Sequence, residues 1–266
     1  MSPIDTITND DALDFMASLE PGSCRLVIAD PPYNLKVDRR FNVPAPYKNL
    51  QGWIEWSKRW LDLAVRSLAD DGNIFVYGIH HFAAFLHVHL WESGCVYRRQ
   101  IIWHYENGWS RYKNAPAAHY EPILWFGKSA DSLYHPIREP YKSTDRLKHA
   151  IYKNGKRWEP HPDGRLAGDV WRFPTLAGRR FRDEKVDHPT QKPLALSRRI
   201  VQHFSDPNDL VLIPFVGSGS ECVAAKQLGR HFCGAELNPD FVSIAEGRLD
   251  DVRFGELTEQ PAGAEV

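Results

Sequence analysis

Residues 210–240 constrain the fold more than any other stretch of the chain. An apolar run at 210–213 is followed by the glycine-containing turn Pro-Phe-Val-Gly-Ser-Gly at 214–219 and by a helical pattern that ends at Gly229. A second apolar run then leads to Glu236. This order of strand, helix and strand predicts a βαβ unit with two parallel strands. Because helices cover both faces of a parallel sheet, the unit predicts an α/β fold.

The same unit has the chemistry of a nucleotide site. Gly217 and Gly219 allow a ligand to approach the backbone, and the first amides of the following helix are unpaired. Glu236 ends the second strand, where it is placed to accept hydrogen bonds from ribose hydroxyls. The third glycine of a dinucleotide fingerprint is missing, and the sequence has no P-loop Gly-Lys-Ser/Thr. The pattern therefore favours a different adenosine-containing cofactor.

A second motif, Asp30-Pro31-Pro32-Tyr33, follows an apolar run that predicts a buried strand. The two prolines fix two φ angles and remove two amide donors, so the carbonyl groups of the turn stay free to accept hydrogen bonds. A carboxylate, carbonyl oxygens and an aromatic ring are thus held at the carboxyl end of a strand, where open α/β sheets bind ligands. The alternative is a proline-rich loop with a chance tyrosine.

Charge is divided unevenly along the chain. The net charge is −1, but residues 98–199 contain 21 Lys and Arg against 11 Asp and Glu, and the remainder contains 12 against 23. This division predicts a basic face on an otherwise acidic protein and favours a nucleic-acid partner. Ordinary solvated surface that happens to cluster is the weaker alternative.

Composition excludes several classes of protein. The chain is 42% hydrophobic and 25% charged, as is typical of soluble globular proteins. We expect no signal peptide and no membrane span, because no basic start leads into an apolar run and no apolar segment is long enough. Four scattered cysteines without a CxxC pair predict a reduced, cytoplasmic protein. Four histidines between 80 and 89 do not have metal-ligand spacing, so no metal is expected.

The remaining patterns predict alternating elements. Helices are predicted over 9–23, 50–69, 79–92, 194–204, 220–228 and 239–251, and strands over 24–29, 73–78, 96–104, 120–126, 210–213 and 231–236. A turn is predicted at 70–72, where two aspartates precede a glycine. We interpret Trp53, Trp56 and Trp60 as core residues.

Three segments break this order. Residues 35–49 are predicted to form a mobile loop over the site. Residues 105–119 form either a long hairpin connection or a loop that enters a nucleic-acid groove, since Arg111 and Lys113 stand beside Trp109 and Tyr112. Residues 128–187 have no persistent period but many basic and aromatic residues, which favours an inserted recognition region.

Together, the two motifs and the segment His188-Pro-Thr-Gln-Lys-Pro193 resemble those of the amino-methylating DNA methyltransferases. The catalytic motif precedes the cofactor motif with a basic insertion between them, which is similar to the β group of that family. The resemblance covers nearly all of residues 9–250. It implies a Rossmann-like sheet, mostly parallel with one reversed strand and helices on both faces. It also implies S-adenosylmethionine as the methyl donor, a flipped base of double-stranded DNA as the substrate and, as an expectation, a homodimer.

The resemblance divides the chain into four parts. They are the catalytic part of the methyltransferase domain (1–127), the inserted target-recognition region (128–187), the cofactor-binding part (188–254) and a flexible tail (255–266).

Residue roles follow from the resemblance. The catalytic turn consists of Asp30, Pro31, Pro32 and Tyr33, in which Asp30 and the Pro31 carbonyl would accept hydrogen bonds from the target amino group and Tyr33 would stack on the base. The residues expected to bind the cofactor are Asp11, Asp30, Thr190, Lys192, Pro214, Phe215, Gly217, Ser218, Gly219, Glu236 and Asn238. Among them Glu236 would bind the ribose, Asp11 would approach the adenine end, and Thr190 and Lys192 would close the pocket.

The sequence departs from the family pattern in two places. Ile213 stands where the family usually has aspartate before Pro-Phe, which removes a possible polar contact to the cofactor. Ser220 and Glu221 stand where two threonines often follow Gly-Ser-Gly.

These features predict methylation of the exocyclic amino group of adenine in duplex DNA. By resemblance, aspartate at position 30 favours adenine, whereas serine is commoner there in cytosine enzymes. The alternatives are methylation of the cytosine amino group, methylation of RNA or of a protein side-chain amide, and a DNA-binding relative that has lost catalysis.

Overall fold

The computed structural model describes residues 2–33, 47–78, 80–110 and 113–257. The loop predicted over 35–49 therefore lies almost entirely outside the described residues, as do Asn34, Arg111 and Tyr112. Within the described part, no helix is long and apolar enough to cross a membrane.

Strands and helices alternate through much of the chain. The strands are β1 Thr6–Thr8, β2 Cys24–Ala29, β3 Leu68–Tyr77, β4 Val96–His104, β5 Tyr120–Gly127, β6 Arg138–Glu139, β7 Ile151–Lys153, β8 Lys156–Trp158, β9 Arg165–Leu166, β10 Val170–Arg172, β11 Leu210–Ile213 and β12 His231–Ala235. The helices are α1 Ala12–Ser18, α2 Leu50–Ser67, α3 Ala83–Glu92, α4 Leu194–Phe204, α5 Ser220–Gln227 and α6 Pro239–Leu249.

Eight of these strands form one sheet in the order β1-β12-β11-β2-β3-β5-β4-β10. Neighbouring strands are parallel except where β5 pairs with β3 and with β4, so β5 is the reversed strand among the described residues. The predicted Rossmann-like sheet with one reversed strand is thereby confirmed.

Helices cover both faces of the sheet. On one face α4, α5 and α6 bury side chains such as Ile200 and Phe204 against the strands, and on the other face α1, α2 and α3 bury Met16 and Leu86. The predicted core role of the three tryptophans of α2 is confirmed, since Trp53, Trp56 and Trp60 are at most 7% exposed. Burial on both faces explains why β2 and β11 are continuous apolar runs.

The prediction of a turn at 70–72 was wrong. β3 begins at Leu68, directly after α2. Its pairing with β2 shifts register between Cys24 and Leu26, and this irregularity takes up the residues that suggested a turn. A Cβ on Gly72 would lie 2.9 Å from the Ala69 carbonyl oxygen. Glycine therefore allows the two backbone segments to lie this close together.

The first elements of the chain also differ from the sequence prediction. α1 is shorter than predicted because Asp11 caps it, accepting a hydrogen bond from the Leu13 amide at 2.8 Å. β1 has only three residues, too few to show a period in sequence. The tail predicted to be flexible from 255 lies mostly outside the described residues; within them, the amides of Gly255 and Leu257 donate to carbonyls at the end of α5.

Residues 128–187 contain short strands. β6 pairs with β9, and β7 pairs with β8 in a hairpin that turns at Asn154 and Gly155, which both have positive φ. β10 joins the edge of the main sheet beside β4. The division into a catalytic part, a recognition region and a cofactor-binding part remains a prediction.

Candidate active site

Sheet topology brings the two sequence motifs to one edge. β2, β11 and β12 are parallel neighbours, and the Asp30 turn, the glycine turn and Glu236 follow their carboxyl ends. Because β5 runs in the opposite direction, its first residues reach the same edge. This edge is where α/β sheets bind ligands.

The Asp30 carboxylate is held from two sides. Its Oδ2 lies 2.6 Å from the Lys192 Nζ, and its Oδ1 accepts a hydrogen bond from the Tyr33 hydroxyl at 2.5 Å. The Lys192 side chain is only 5% exposed and that of Asp30 is 20% exposed. A buried ion pair of this kind fixes both groups, because neither can lose its partner cheaply.

Lys192 lies in a cage of aromatic rings and a second carboxylate. The Nζ is 5.0 Å from the centre of the Tyr77 ring and 5.9 Å from those of Tyr33 and Trp103. Glu121 Oε2 lies 3.9 Å from the same nitrogen. Burial lowers the pKa of Lys192, but the charges of Asp30 and Glu121 outweigh burial and hold this pKa above its usual value. The ammonium therefore keeps its charge at neutral pH.

The proline turn is anchored from α2 and from a tyrosine that precedes this helix. The Pro32 carbonyl accepts hydrogen bonds from the Trp53 Nε1 at 2.9 Å and from the Tyr47 hydroxyl at 3.1 Å. The Pro32 carbonyl is therefore not free, contrary to expectation, whereas no donor among the described residues reaches the Pro31 carbonyl, whose role in binding a ligand remains a prediction. Burial and the nearby Asp30 charge raise the pKa of Tyr33 well above its usual value, so its hydroxyl remains a donor.

The glycine turn is tied to Glu236. The amides of Gly217 and Asn238 donate to the two carboxylate oxygens at 2.9 Å and 2.8 Å. Burial raises the pKa of Glu236, and these amide hydrogen bonds oppose the rise. Gly219 has φ +77° at the start of α5, and a Cβ there would lie 2.7 Å from the Ala245 Cβ on α6. Glycine is therefore required both for conformation and for space.

Other predicted residues support this turn. Pro214 is buried, and the Phe215 ring packs 5.3 Å from the ring of Trp60. The Ser218 carbonyl accepts a hydrogen bond from Arg248 at 2.6 Å. Asn238 is the N-cap of α6, since its side chain accepts from the Asp240 amide.

The segment before α4 packs on the glycine turn. A Cβ on Gly217 would meet the His188 Nε2 at 3.0 Å, and the exposed Thr190 donates its amide to the His188 Nδ1 at 3.3 Å. Burial lowers the pKa of His188 to about 4. The cofactor roles predicted for Thr190 and Lys192 remain predictions, and Lys192 Nζ is engaged with Asp30 in this structure.

The two departures from the family pattern have structural explanations. Ile213 is 1% exposed at the end of β11, where it pairs with Gly234 in an apolar layer. Glu221 is buried in the first turn of α5 and accepts a hydrogen bond from the Ser197 hydroxyl at 3.0 Å. Burial raises the pKa of Glu221, and the charge of Asp30 adds to the rise.

Sequence reasoning missed Glu121 and the ring cage around Lys192. A signal was present, since Glu121 is an acidic residue at the start of an otherwise apolar strand. Among the described residues, no cluster of His, Cys, Asp and Glu could hold a metal ion.

Comparison with known proteins agrees with this geometry. The type II methyltransferase M1.MboII of Moraxella bovis is 36% identical over 267 residues, covering 96% of this chain and 100% of that protein. The DNA adenine methyltransferase YhdJ of Escherichia coli (strain K12) is 30% identical over 249 residues, covering 92% and 82%. The crystal structure of the M1.HpyAVI–SAM complex has a TM-score of 0.61 at 25% identity, covering 92% of this chain and 98% of that chain.

The fold and the site together define a Rossmann-like methyltransferase. Residues 24–247 match the N6 and N4 DNA methylase family, and the chain belongs to this family.

Proposed function

We propose that the protein transfers a methyl group from S-adenosylmethionine to the exocyclic amino nitrogen of an adenine in double-stranded DNA. The observation that carries the proposal is the Asp30 carboxylate, fixed by the buried Lys192 ammonium at the sheet edge that also holds the glycine turn and Glu236. An acceptor for an amino group thus lies beside a nucleotide-type cradle.

The residues of the glycine turn fit an adenosine-containing cofactor. Gly217 and Gly219 have positive φ, and side chains there would strike His188 and Ala245. The Glu236 carboxylate accepts hydrogen bonds from two backbone amides. Because a carboxylate has about four lone-pair sites, it can still accept hydrogen bonds from ribose hydroxyls. When bound, S-adenosylmethionine supplies an electrophilic methyl group on a sulfonium centre. The similar M1.HpyAVI was solved as a complex with this compound, which supports the proposal.

Asp30 and Pro31 would activate the target nitrogen. The lone pair of an exocyclic amino group is delocalised into the base, so the group is a poor nucleophile. Acceptors that grip its two protons, here the Asp30 carboxylate and the Pro31 carbonyl, localise the lone pair towards the donor. Positioning then supplies much of the rate. As the nitrogen–carbon bond forms, the carbon–sulfur bond to the methyl group would break and leave a neutral thioether. The nitrogen also loses one proton, and the Asp30 carboxylate is the acceptor that we assign to it.

The target base must leave the helix to reach this site. Extrusion costs a few kcal/mol of unstacking. Stacking on Tyr33, worth roughly 1–3 kcal/mol for a base on an aromatic ring, would offset part of this cost. The Tyr33 hydroxyl donates to Asp30 in this structure, so we expect base entry to displace that hydrogen bond.

Adenine is the proposed target for two reasons. Position 30 is aspartate, which by family resemblance favours adenine. In addition, the 30% identical YhdJ is named a DNA adenine methyltransferase. The basic segment 98–199 would bind the duplex through its phosphates.

We further propose that the enzyme acts in the cytoplasm and that it is a homodimer. A measurement of molecular mass by light scattering tests the dimer, and a mass equal to that of one chain would rule it out.

The test is methyl transfer to plasmid DNA. Purified wild-type protein and the Asp30→Ala variant are incubated with radiolabelled S-adenosylmethionine and plasmid, and modified sites are mapped by modification-sensitive sequencing. We expect label at one short sequence motif with wild type and none with the variant, which should still bind DNA. Label in RNA or protein but not in DNA would contradict the proposal.

A further inference from the structure

Glu121 is a half-buried carboxyl group that the proposed chemistry leaves unused. It is the second residue of β5, opposite Trp103 on β4, and the reversed direction of β5 brings it to the edge that holds Asp30. Its Oε2 is buried and has no hydrogen-bond partner among the described residues. A buried polar atom without a partner is costly, so each such atom calls for an explanation, such as a catalytic role or a bound water or ion.

The neighbours of Glu121 belong to the target site. Lys192 Nζ lies 2.6 Å from Asp30 Oδ2 and 3.9 Å from Glu121 Oε2, so one ammonium stands between the two carboxyl groups. At 3.9 Å the second contact is longer than a hydrogen bond. Tyr105, the residue directly after β4, lowers the pKa of Glu121 through its hydroxyl group.

Two carboxyl groups, those of Glu121 and Asp30, share the single Lys192 ammonium. The titratable groups that face Glu121 are Asp30 and Tyr33 after β2, Tyr77 on β3, Tyr105 after β4 and Lys192 before α4. One ammonium cannot neutralise two carboxylates. Burial and the Asp30 charge raise the pKa of Glu121, while Lys192 and Tyr105 oppose the rise without cancelling it. A protonated carboxyl group is a hydrogen-bond donor.

We propose that Glu121 binds the substrate, and that its carboxyl group is protonated when the base is bound and donates a hydrogen bond to the ring nitrogen next to the target amino group. This inference rests on the proposed function. In adenine a single ring carbon separates that nitrogen, N1, from the amino nitrogen. A base whose amino group is held by Asp30 therefore presents N1 to the neighbouring carboxyl group. A base with N–H at this place, such as guanine, would meet a donor with a donor and be rejected.

The experiment removes the two partners separately. Single-turnover methylation rates are measured on duplexes that carry the mapped sequence, with either adenine or 1-deazaadenine at the target. Wild type is compared with Glu121→Ala and Glu121→Gln. The change in amino-group reactivity caused by the deaza ring is common to all three proteins, so it cancels when their ratios are compared.

We expect wild type to discriminate against 1-deazaadenine by about 10-fold more than Glu121→Ala does, as for the loss of one hydrogen bond. Glu121→Gln should keep most of the discrimination, because its amide N–H can still donate. Glu106→Ala, which removes an exposed acid from the adjoining loop, should behave as wild type. Cofactor binding by calorimetry and thermal unfolding report separately on whether each variant is folded.

Equal responses of wild type and Glu121→Ala to the missing ring nitrogen would overturn the inference. The inference would also be overturned if Glu121→Gln no longer discriminated against 1-deazaadenine while Glu121→Ala still did. Neither result would affect the proposed function, which fails if wild type does not methylate adenine in the natural duplex.

Discussion

At the residue scale, the site depends on one buried ion pair. Lys192 is nearly inaccessible, and its partner Asp30 is the group that we expect to grip the substrate. The sequence indicated both residues through a family resemblance but assigned Lys192 to the cofactor. The contact between them joins residues 162 positions apart, and a one-dimensional pattern contains no information on such a distance.

Replacing Lys192 tests the pair. Lys192→Met keeps the length and apolar stem of the side chain but leaves the Asp30 charge uncompensated, so we expect a loss of about 3 kcal/mol in the free energy of unfolding. Methylation should fall by at least about 100-fold, because Asp30 loses its fixed position. Urea unfolding and single-turnover rates measure both effects. Lys185→Met, at an exposed site, is the control, and equal stability of the two variants would contradict the assignment.

His188 predicts a pH dependence. Burial lowers its folded-state pKa to about 4 from an ordinary value of 6.5, so between these values the unfolded chain binds more protons than the folded chain. Stability should therefore fall as the pH is lowered from about 6.5 to about 4. His188→Gln should flatten this part of the curve of unfolding free energy against pH. An unchanged curve would show that His188 is not the group responsible.

At the element scale, prediction succeeded where a period was long and failed where pairing decided the structure. α2, α4 and the unit β11-α5-β12 were visible because their apolar periods match helices and strands. β1 and the early start of β3 were missed, since three-residue strands and register shifts depend on partners distant in sequence. Likewise, the predicted recognition region contains two-residue and three-residue strands that only pairing defines.

The start of α5 predicts a contrast between two glycines. Gly219→Ala adds a Cβ at positive φ and 2.7 Å from the Ala245 Cβ, so it should lower the free energy of unfolding by more than about 1 kcal/mol and weaken cofactor binding. Gly247→Ala lies within α6 and has open space around its Cβ, so it should raise the free energy of unfolding by about 0.5–1 kcal/mol. Chemical denaturation and calorimetry measure both variants. Similar effects at the two sites would contradict the close packing of α5 on α6.

The β7–β8 hairpin predicts a DNA contact. Lys153 stands directly opposite Lys156, an arrangement that destabilises an isolated hairpin, and Tyr152 is 72% exposed. Two-stranded ribbons of this kind fit the major groove. The double variant Lys153→Ala, Lys156→Ala should bind DNA more weakly. The plot of the logarithm of its binding constant against the logarithm of salt concentration should have a slope smaller in magnitude by about 1–2. Lys58→Ala with Arg59→Ala on α2 is the matched control, and an equal loss in both pairs would contradict a specific role.

At the scale of the whole molecule, the sheet order explains why two distant motifs form one site. The Asp30 turn and the glycine turn lie more than 180 residues apart in sequence, yet they follow adjacent strands β2 and β11. The βαβ pattern and the proline turn predicted the class of fold and the shared edge. The reversed strand was expected from the family resemblance, but the strand order was not predicted, because residue patterns do not state which strands are neighbours.

The identity of the methylated nucleoside decides whether the proposed chemistry is right. Plasmid DNA is treated with the protein and with S-adenosylmethionine that carries a trideuterated methyl group. The DNA is then digested to nucleosides, and the labelled nucleoside is identified by mass spectrometry. We expect the label in N6-methyladenine with wild type and no label with Asp30→Ala. Label found only in N4-methylcytosine, or equal label with both proteins, would contradict the proposed role of Asp30 at an adenine.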